Sequence, residues 1–236
     1  MAIRGILFDK DGTLIDYDRT WVPIHRDVAL FAASGDQALA ADLLRRFGQH
    51  PETDAVTAGS VLAAGSIYDI AEAFAAHLGA RTPPDLAAAI DRIYAEGGAR
   101  HAVLIDGAQA TLIELKARGL RLGVATNDSV GGLEASLGRT GTLHLFDFAV
   151  GCDSGLGSKP DPGMALAFCE ELGLAPHEMA MVGDAEHDLA TGRAAGAGLT
   201  IGVLSGTSAA KDLQALADVL LDSINDLLTL AELQKA

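Results

Sequence analysis

Apolar and polar residues follow two different textures along this chain. Residues 3–8 form a short apolar run broken only by Arg4 and Gly5, and such a run reads as a buried strand. Between residues 20 and 47 the apolar positions Trp21, Ile24, Val28, Leu30, Phe31, Leu39, Leu43 and Leu44 recur at three- and four-residue spacing. That spacing predicts helix, and Ser34-Gly35-Asp36 breaks it into two. Helical spacing returns over residues 68–78 and 84–94, the second stretch opened by Pro83-Pro84-Asp85. Nothing between Asp16 and Gly98 reads as a strand.

Past Gly98 the texture alternates. Helices are predicted over 108–117, 130–137, 162–172, 188–195 and 224–233, and strands over 121–126, 146–150, 179–182, 199–204 and 219–221. Asp161 is placed as the N-cap of the 162–172 helix, with Pro162 at its first position. Short buried strands alternating with helices imply right-handed crossovers and a parallel sheet. The strand at 3–8 finds no partner until the helical stretch has passed. The predicted architecture is therefore an α/β core with a Rossmann-like parallel sheet, built from residues 1–17 and 99–236. An α-helical domain of residues 18–98 is inserted after the first strand.

Composition narrows the classes of partner. A chain of 236 residues, 49% hydrophobic and 21% charged, is long and apolar enough for this packed arrangement. Its formal charge of -15, with a pI near 4.7, argues against nucleic acid and anionic membrane as partners. Phosphate can still bind where a lysine, a helix N-terminus or a metal offsets the acidic field. Cys152 and Cys169, the only cysteines, read as ordinary reduced thiols. The first acidic residue, Asp9, arrives too early for a secretory leader, and no apolar stretch approaches the ~18–20 residues that cross a bilayer. A soluble cytoplasmic protein is expected, with no signal for an oligomeric state.

Candidate chemistry starts at Asp9-Lys10-Asp11-Gly12-Thr13, directly behind the first strand. Ligands of open α/β sheets bind at that edge, and Gly12 supplies a turn that can converge the two carboxylates. The pair fits a plain Asp-Gly turn, a hard-cation site, or a nucleophile with an acid/base partner. Thr126-Asn127 and Gly183-Asp184 end two further predicted strands, Asp188 follows four residues later, and Lys159 precedes a predicted helix. A parallel sheet would gather all of them on one edge. Four carboxylates beside one lysine repel strongly without a cation, and hard oxygen ligands with open positions suit Mg²⁺.

In order and spacing, Asp9-x-Asp11-Gly12-Thr13, Thr126, Lys159 and Gly183-Asp184-x-x-x-Asp188 resemble the four motifs of the haloacid dehalogenase superfamily, in its phosphoglycolate phosphatase-like branch. The resemblance implies a Mg²⁺-dependent phosphatase acting on a small phosphorylated metabolite through an aspartyl phosphate. Asp9 would be the nucleophile and Asp11 the general acid/base. Thr126, Lys159 and secondarily Asn127 would bind the phosphoryl group. Asp9, Asp184 and the Asp11 carbonyl would hold the metal, with Asp188 positioning it or its waters. The superfamily's dehalogenases lack an acid where Asp11 stands, so the resemblance favours a phosphate ester over a halide. Lys10 departs from the apolar residue usual in the branch and leaves the exact substrate open. A β-phosphoglucomutase-like phosphomutase and a non-catalytic phospho-ligand-binding protein remain as rivals. Trp21 is expected in the helical core, His187 exposed, Asp128 in turn chemistry, and Glu114, Lys116 and Arg118 on a solvated helix face. Arg19 and His25 lie near the hinge, within reach of a substrate.

Overall fold

Six parallel strands order as β3-β2-β1-β4-β5-β6 in a computed structural model that describes residues 2–233. They are β1 (Gly5–Phe8), β2 (Arg121–Ala125), β3 (Phe148–Val150), β4 (Met179–Gly183), β5 (Leu199–Val203) and β6 (Val219–Leu221). β1 lies between β2 and β4, and Phe8 is in register with both Val124 and Val182. The order reverses at β1: the chain adds β2 and β3 on one side, then crosses to β4 on the other. Loops leaving the carboxyl ends of β1, β2 and β4 therefore open a crevice at the switch point.

Period-two alternation explains why β1 reads as a continuous apolar run. Ile6 and Phe8 enter one core with Val124, Val182 and Ile201, while Leu7 enters the opposite core with Met179, Met181 and Phe168. Both faces are covered, as parallel sheets require. Helices α1 (Tyr17–Ala32), α2 (Gln37–Phe47), α3 (Val61–Ala64), α4 (Ile67–Leu78) and α5 (Leu86–His101) follow β1 without a strand between them. They bury a third cluster of their own that includes Trp21, Ile24, Leu43, Ile70, Phe74 and Ile90. Asp36 caps α2 by accepting from the Ala38 and Leu39 amides at 2.9 and 3.1 Å, so the predicted break falls where the backbone turns.

The two connections to this helical block run side by side. The Asp16 amide donates to the Val103 carbonyl and the Ile105 amide to the Leu14 carbonyl, both at 2.9 Å. The remaining helices are α6 (Ala108–Ala117), α7 (Val130–Arg139), α8 (Gly163–Leu172), α9 (Glu186–Ala195) and α10 (Ala210–Leu213). Among the described residues no helix is long and apolar enough to cross a membrane.

Three local expectations are overturned. Asp161 does not cap α8: Pro162 occupies the N-cap, and no side chain bonds there. The closing segment is not an α-helix but two 3₁₀ stretches, Ile224–Thr229 and Ala231–Leu233. Ile224, Leu227, Leu230 and Leu233 recur at strict three-residue spacing, which aligns them on one side of a helix with three residues per turn. Arg118 reinforces this arrangement by donating to the Leu228 carbonyl at 3.2 Å, so it is not the free surface charge that its helix pattern suggested.

Candidate active site

Asp9 continues the ladder of β1 through its amide, which donates to the Val182 carbonyl at 2.8 Å. The chain then folds sharply, with the Leu14 and Ile15 amides both donating to the Lys10 carbonyl at 2.9 Å. Gly12 sits at φ +86°, and a Cβ there would lie 2.7 Å from the Asp184 carboxyl. Glycine at this position lets the two acidic loops approach each other. Ser205 and Thr207 hold the opposite side: the Ser205 hydroxyl donates to the Gly12 carbonyl at 2.7 Å, and the Thr207 amide to Asp184 Oδ2 at 3.0 Å.

Asp9, Asp184 and Asp188 converge here, each buried and each offering a carboxylate oxygen within 4.8 Å of the others. Lys159, itself buried, donates to Asp9 Oδ1 and to Asp188 Oδ1, the latter at 2.5 Å. Burial pushes the Asp9 carboxyl up to about 7, helped by the Asp188 and Asp11 charges and opposed by Lys159. Asp184 is raised by burial and by the Asp9 and Asp188 carboxylates. Burial also acts upward on Asp188, but His187 and Lys159 outweigh it and hold that carboxyl below its ordinary value. Burial presses Lys159 down, yet Asp188 and Asp9 more than compensate and keep it an ammonium. One ammonium cannot hold three buried carboxyls ionised at once, and the raised Asp9 and Asp184 groups record that shortfall. This all-oxygen donor set fits a hard divalent cation such as Mg²⁺.

Thr126 is buried at the end of β2, and its hydroxyl accepts from the Asp128 amide at 3.1 Å, leaving its proton free to donate. Asn127 lines the same cavity, but its side chain is engaged by backbone. Its Oδ1 accepts from the Lys159 amide at 2.9 Å, and its Nδ2 donates to the Lys159 carbonyl at 3.2 Å and the Ala64 carbonyl at 3.1 Å. It clasps the Lys159 loop and touches the helical block, and its amide is spent on those contacts. Asp11 lies at the cavity wall beneath α1.

Sequence reasoning missed the setting of Asp11. Lys10 is fully buried, with Nζ 2.9 Å from Asp11 Oδ2, 2.9 Å from Asp128 Oδ2 and 4.6 Å from the Trp21 ring centroid. The Trp21 indole nitrogen donates to Asp11 Oδ1 at 2.6 Å. Trp21 thus belongs to the helical core and to the site at once, and Asp128 is an ion-pair partner more than a turn residue. The available signal was positional. In a strand end buried on both faces, the residue after Asp9 must point away from the site and into protein. His187 also lines the cavity, its Nε2 3.3 Å from Asp188 Oδ1, whereas Arg19 is exposed and pairs with Asp16.

His25 enters the lining as a buried ring whose Nδ1 is 3.0 Å from Gln49 Oε1. Burial drives its pKa down to about 4, against the opposing hydrogen bond. Below its ordinary value of 6.5 the unfolded chain takes up a proton that folded His25 refuses until about pH 4. The neutral ring's contribution is complete above pH 6.5 and is lost as pH falls toward 4. Between pH 7.5 and 4.5, wild type is expected to lose about 2–3 kcal/mol more stability than His25→Phe. Urea unfolding at both pH values reads this, and equal losses would refute it.

Fold and site define a class: a parallel α/β enzyme with a carboxylate-and-lysine centre at its switch point, roofed by helices. A family model described as haloacid dehalogenase-like hydrolase matches residues 3–196. The chain is 31% identical over 240 residues to phosphoglycolate phosphatase of Escherichia coli strain K12, covering 96% of this chain and 91% of that one. Among solved structures, CbbY from Rhodobacter sphaeroides in complex with phosphate is 26% identical with a TM-score of 0.69, over 95% of this chain and 96% of that one. A predicted phosphoglycolate phosphatase from Haemophilus somnus 129PT shares the fold, with a TM-score of 0.73 at 24% identity over 96% and 97% of the two chains. The chain belongs to the haloacid dehalogenase-like hydrolase family, in its phosphoglycolate phosphatase-like branch.

Proposed function

We propose that this phosphoric monoester hydrolase cleaves the phosphomonoester of a metabolite about the size of phosphoglycolate through an aspartyl-phosphate intermediate. One observation carries the reading: Lys159 bridges Asp9 and Asp188 within a buried carboxylate cluster on the floor of a capped cavity. Such a floor accepts a dianionic phosphoryl group once its own negative charge is offset. Asp9, Asp184 and Asp188, with the Asp11 carbonyl, would hold Mg²⁺, which when bound neutralises phosphoryl charge.

Asp9 Oδ attacks phosphorus as the ester P–O bond breaks, and the departing alkoxide takes a proton from the Asp11 carboxyl. A water oxygen then attacks the same phosphorus and gives a proton back to Asp11, releasing inorganic phosphate and restoring the Asp9 carboxylate. Lys159 and the Thr126 hydroxyl serve the phosphoryl oxygens, since phosphoryl transfer is governed by positioning and charge. The helical block, residues 18–98, acts as a cap that excludes bulk water and reopens for product release. Sequence kinship to phosphoglycolate phosphatases supports hydrolysis over mutase chemistry.

Phosphate release from p-nitrophenyl phosphate is expected to require Mg²⁺ and to stop in excess chelator. Full turnover in chelator would sink the reading. Binding carries its own signature. Because Asp9 keeps its proton up to about pH 7 in the cation-free protein, Mg²⁺ must displace that proton at lower pH. Apparent Mg²⁺ affinity, read by thermal shift, should therefore weaken by about tenfold per unit for each proton displaced as pH falls from 7 to 5.5. A flat profile would show that the ion displaces no proton from Asp9.

A further inference from the structure

Resting on the phosphatase reading, we propose that the substrate is the phosphate ester of a small uncharged alcohol with a distal hydroxyl or carbonyl oxygen. Tyr94 is the residue that reads that oxygen. Two independent observations lead there.

The first is the charge of the lining. Above the carboxylate floor the cavity is walled by the helical block, including Tyr17, Trp21, Leu62, Ile67, Ile70 and Tyr94. Among the described residues Lys159 is the only lysine or arginine in the lining, and it is committed to Asp9 and Asp188 on the floor. Lys10 is fully buried behind the wall, between Asp11 and Asp128. His25, the imidazole contributed by the helical block, is held uncharged by burial, and His187 faces Asp188. The amino end of α4 also borders the cavity, and a capping box there places a carboxylate in its first turn. The Asp69 amide donates to the Ser66 hydroxyl oxygen, and the Asp69 carboxylate sits in that first turn. A leaving group with its own carboxylate would lose water here and find a largely apolar wall, the Asp128 carboxylate and no uncommitted cation. An uncharged leaving group meets no such penalty.

The second observation is an orphan. The Tyr94 hydroxyl is buried without a hydrogen-bond partner, and no other buried side-chain nitrogen or oxygen among the described residues lacks one. Buried hydroxyls are ordinarily satisfied, and leaving one unmade is costly. The Tyr94 ring packs 4.9 Å from Trp21 in the cavity wall, close enough to the acid/base residue for the Asp128 and Asp11 charges to reach its hydroxyl. Burial and those charges keep it protonated, hence a donor. An oxygen on the leaving group gives that donor its missing acceptor. Carboxylates so close to it disfavour an anionic acceptor.

Three esters that differ only at the distal end test this: 2-hydroxyethyl phosphate, propyl phosphate and 2-phosphoglycolate. Wild-type kcat/KM is expected to be about tenfold higher for 2-hydroxyethyl phosphate than for either of the others. Tyr94→Phe should bring the ratio of 2-hydroxyethyl to propyl phosphate to near parity. Ala63→Lys, which adds a cation to the half-buried wall, should shift preference toward 2-phosphoglycolate. A kcat/KM for 2-phosphoglycolate equal to or above that of the neutral esters overturns the inference and leaves the phosphatase reading standing. An unchanged ester ratio in Tyr94→Phe overturns the role of Tyr94. Absence of Asp9-dependent phosphate release from every ester removes the phosphatase reading itself.

Discussion

Asp9→Asn is expected to lower phosphate release by on the order of 10⁴-fold or more while leaving the protein folded. The carboxamide matches the carboxylate in shape but has no anionic oxygen to attack phosphorus, so the covalent route closes. Stability should move the other way. Asp9 is a buried acid pushed up to about 7, meaning that its ionised form is disfavoured in the cation-free fold. That penalty is absent below the ordinary value of 3.8 and grows as pH rises toward 7. Replacing the acid with a neutral amide removes it, although Lys159 then keeps only Asp188 as a partner. The cation-free variant should therefore unfold at or above the wild-type temperature at pH 8, with its gain shrinking toward pH 5. Lys159→Gln makes the contrast. It removes the one ammonium from a cluster of three carboxylates, so activity falls by about 10²–10³-fold and cation-free stability falls with it. Phosphate release and thermal melts on both variants separate nucleophile from charge partner. Wild-type turnover in Asp9→Asn would end the mechanism.

How much of this was legible in the chain can be followed residue by residue. Period-two burial of Ile6, Leu7 and Phe8 comes from local pattern, and so does the loop that places Asp9 at a sheet edge. That Thr126 and Asp184 join it follows from parallel strands, whose carboxyl ends share one edge. The strand order that puts β2 and β4 directly beside β1 is a tertiary choice that no window of sequence states. Asn127 carried the correct neighbourhood, but its amide is satisfied by the Lys159 and Ala64 backbone, contacts made across 32 and 63 residues of chain. Arg118 looked like one of three surface charges until the C-terminal 3₁₀ segment folded over it. Tyr94 gave no sign at all. A tyrosine at helical spacing is ordinary core, and only the placement of its hydroxyl without an acceptor sets it apart. Local periodicity thus reports elements and edges, while the long-range partners of polar side chains stay hidden.

Lys10 is the sharpest case of a hidden partner, and its removal should carry the largest cost in stability. Its ammonium is fully buried between two carboxylates, Asp11 and Asp128, with the Trp21 ring closing one side. Burial presses its pKa down, but the two acids outweigh that and hold it charged above the ordinary value. Lys10→Met keeps the length and apolar stem while deleting the charge, and so leaves Asp128 buried and unpaired. Burial already raises the Asp128 carboxyl, and Lys10 is the chief influence that opposes it. Breaking one side of such a pair costs about 3–5 kcal/mol, which for a chain of this size lowers Tm by roughly 10 °C. Adding Asp128→Asn to Lys10→Met removes the stranded charge and should recover more than half of the loss; a double mutant no more stable than the single would show that the charges do not couple. The network also reaches the chemistry, because Lys10 and Trp21 together fix the Asp11 carboxylate at the cavity wall. Lys10→Met should therefore lower kcat more than it raises KM, since Lys159, assigned to the phosphoryl group, is held by Asp9 and Asp188 and not by this network. Trp21 is the only tryptophan in the chain, so its fluorescence reports the same disturbance directly. Unaltered emission and an unaltered kcat in a destabilised Lys10→Met would confine Lys10 to holding the fold.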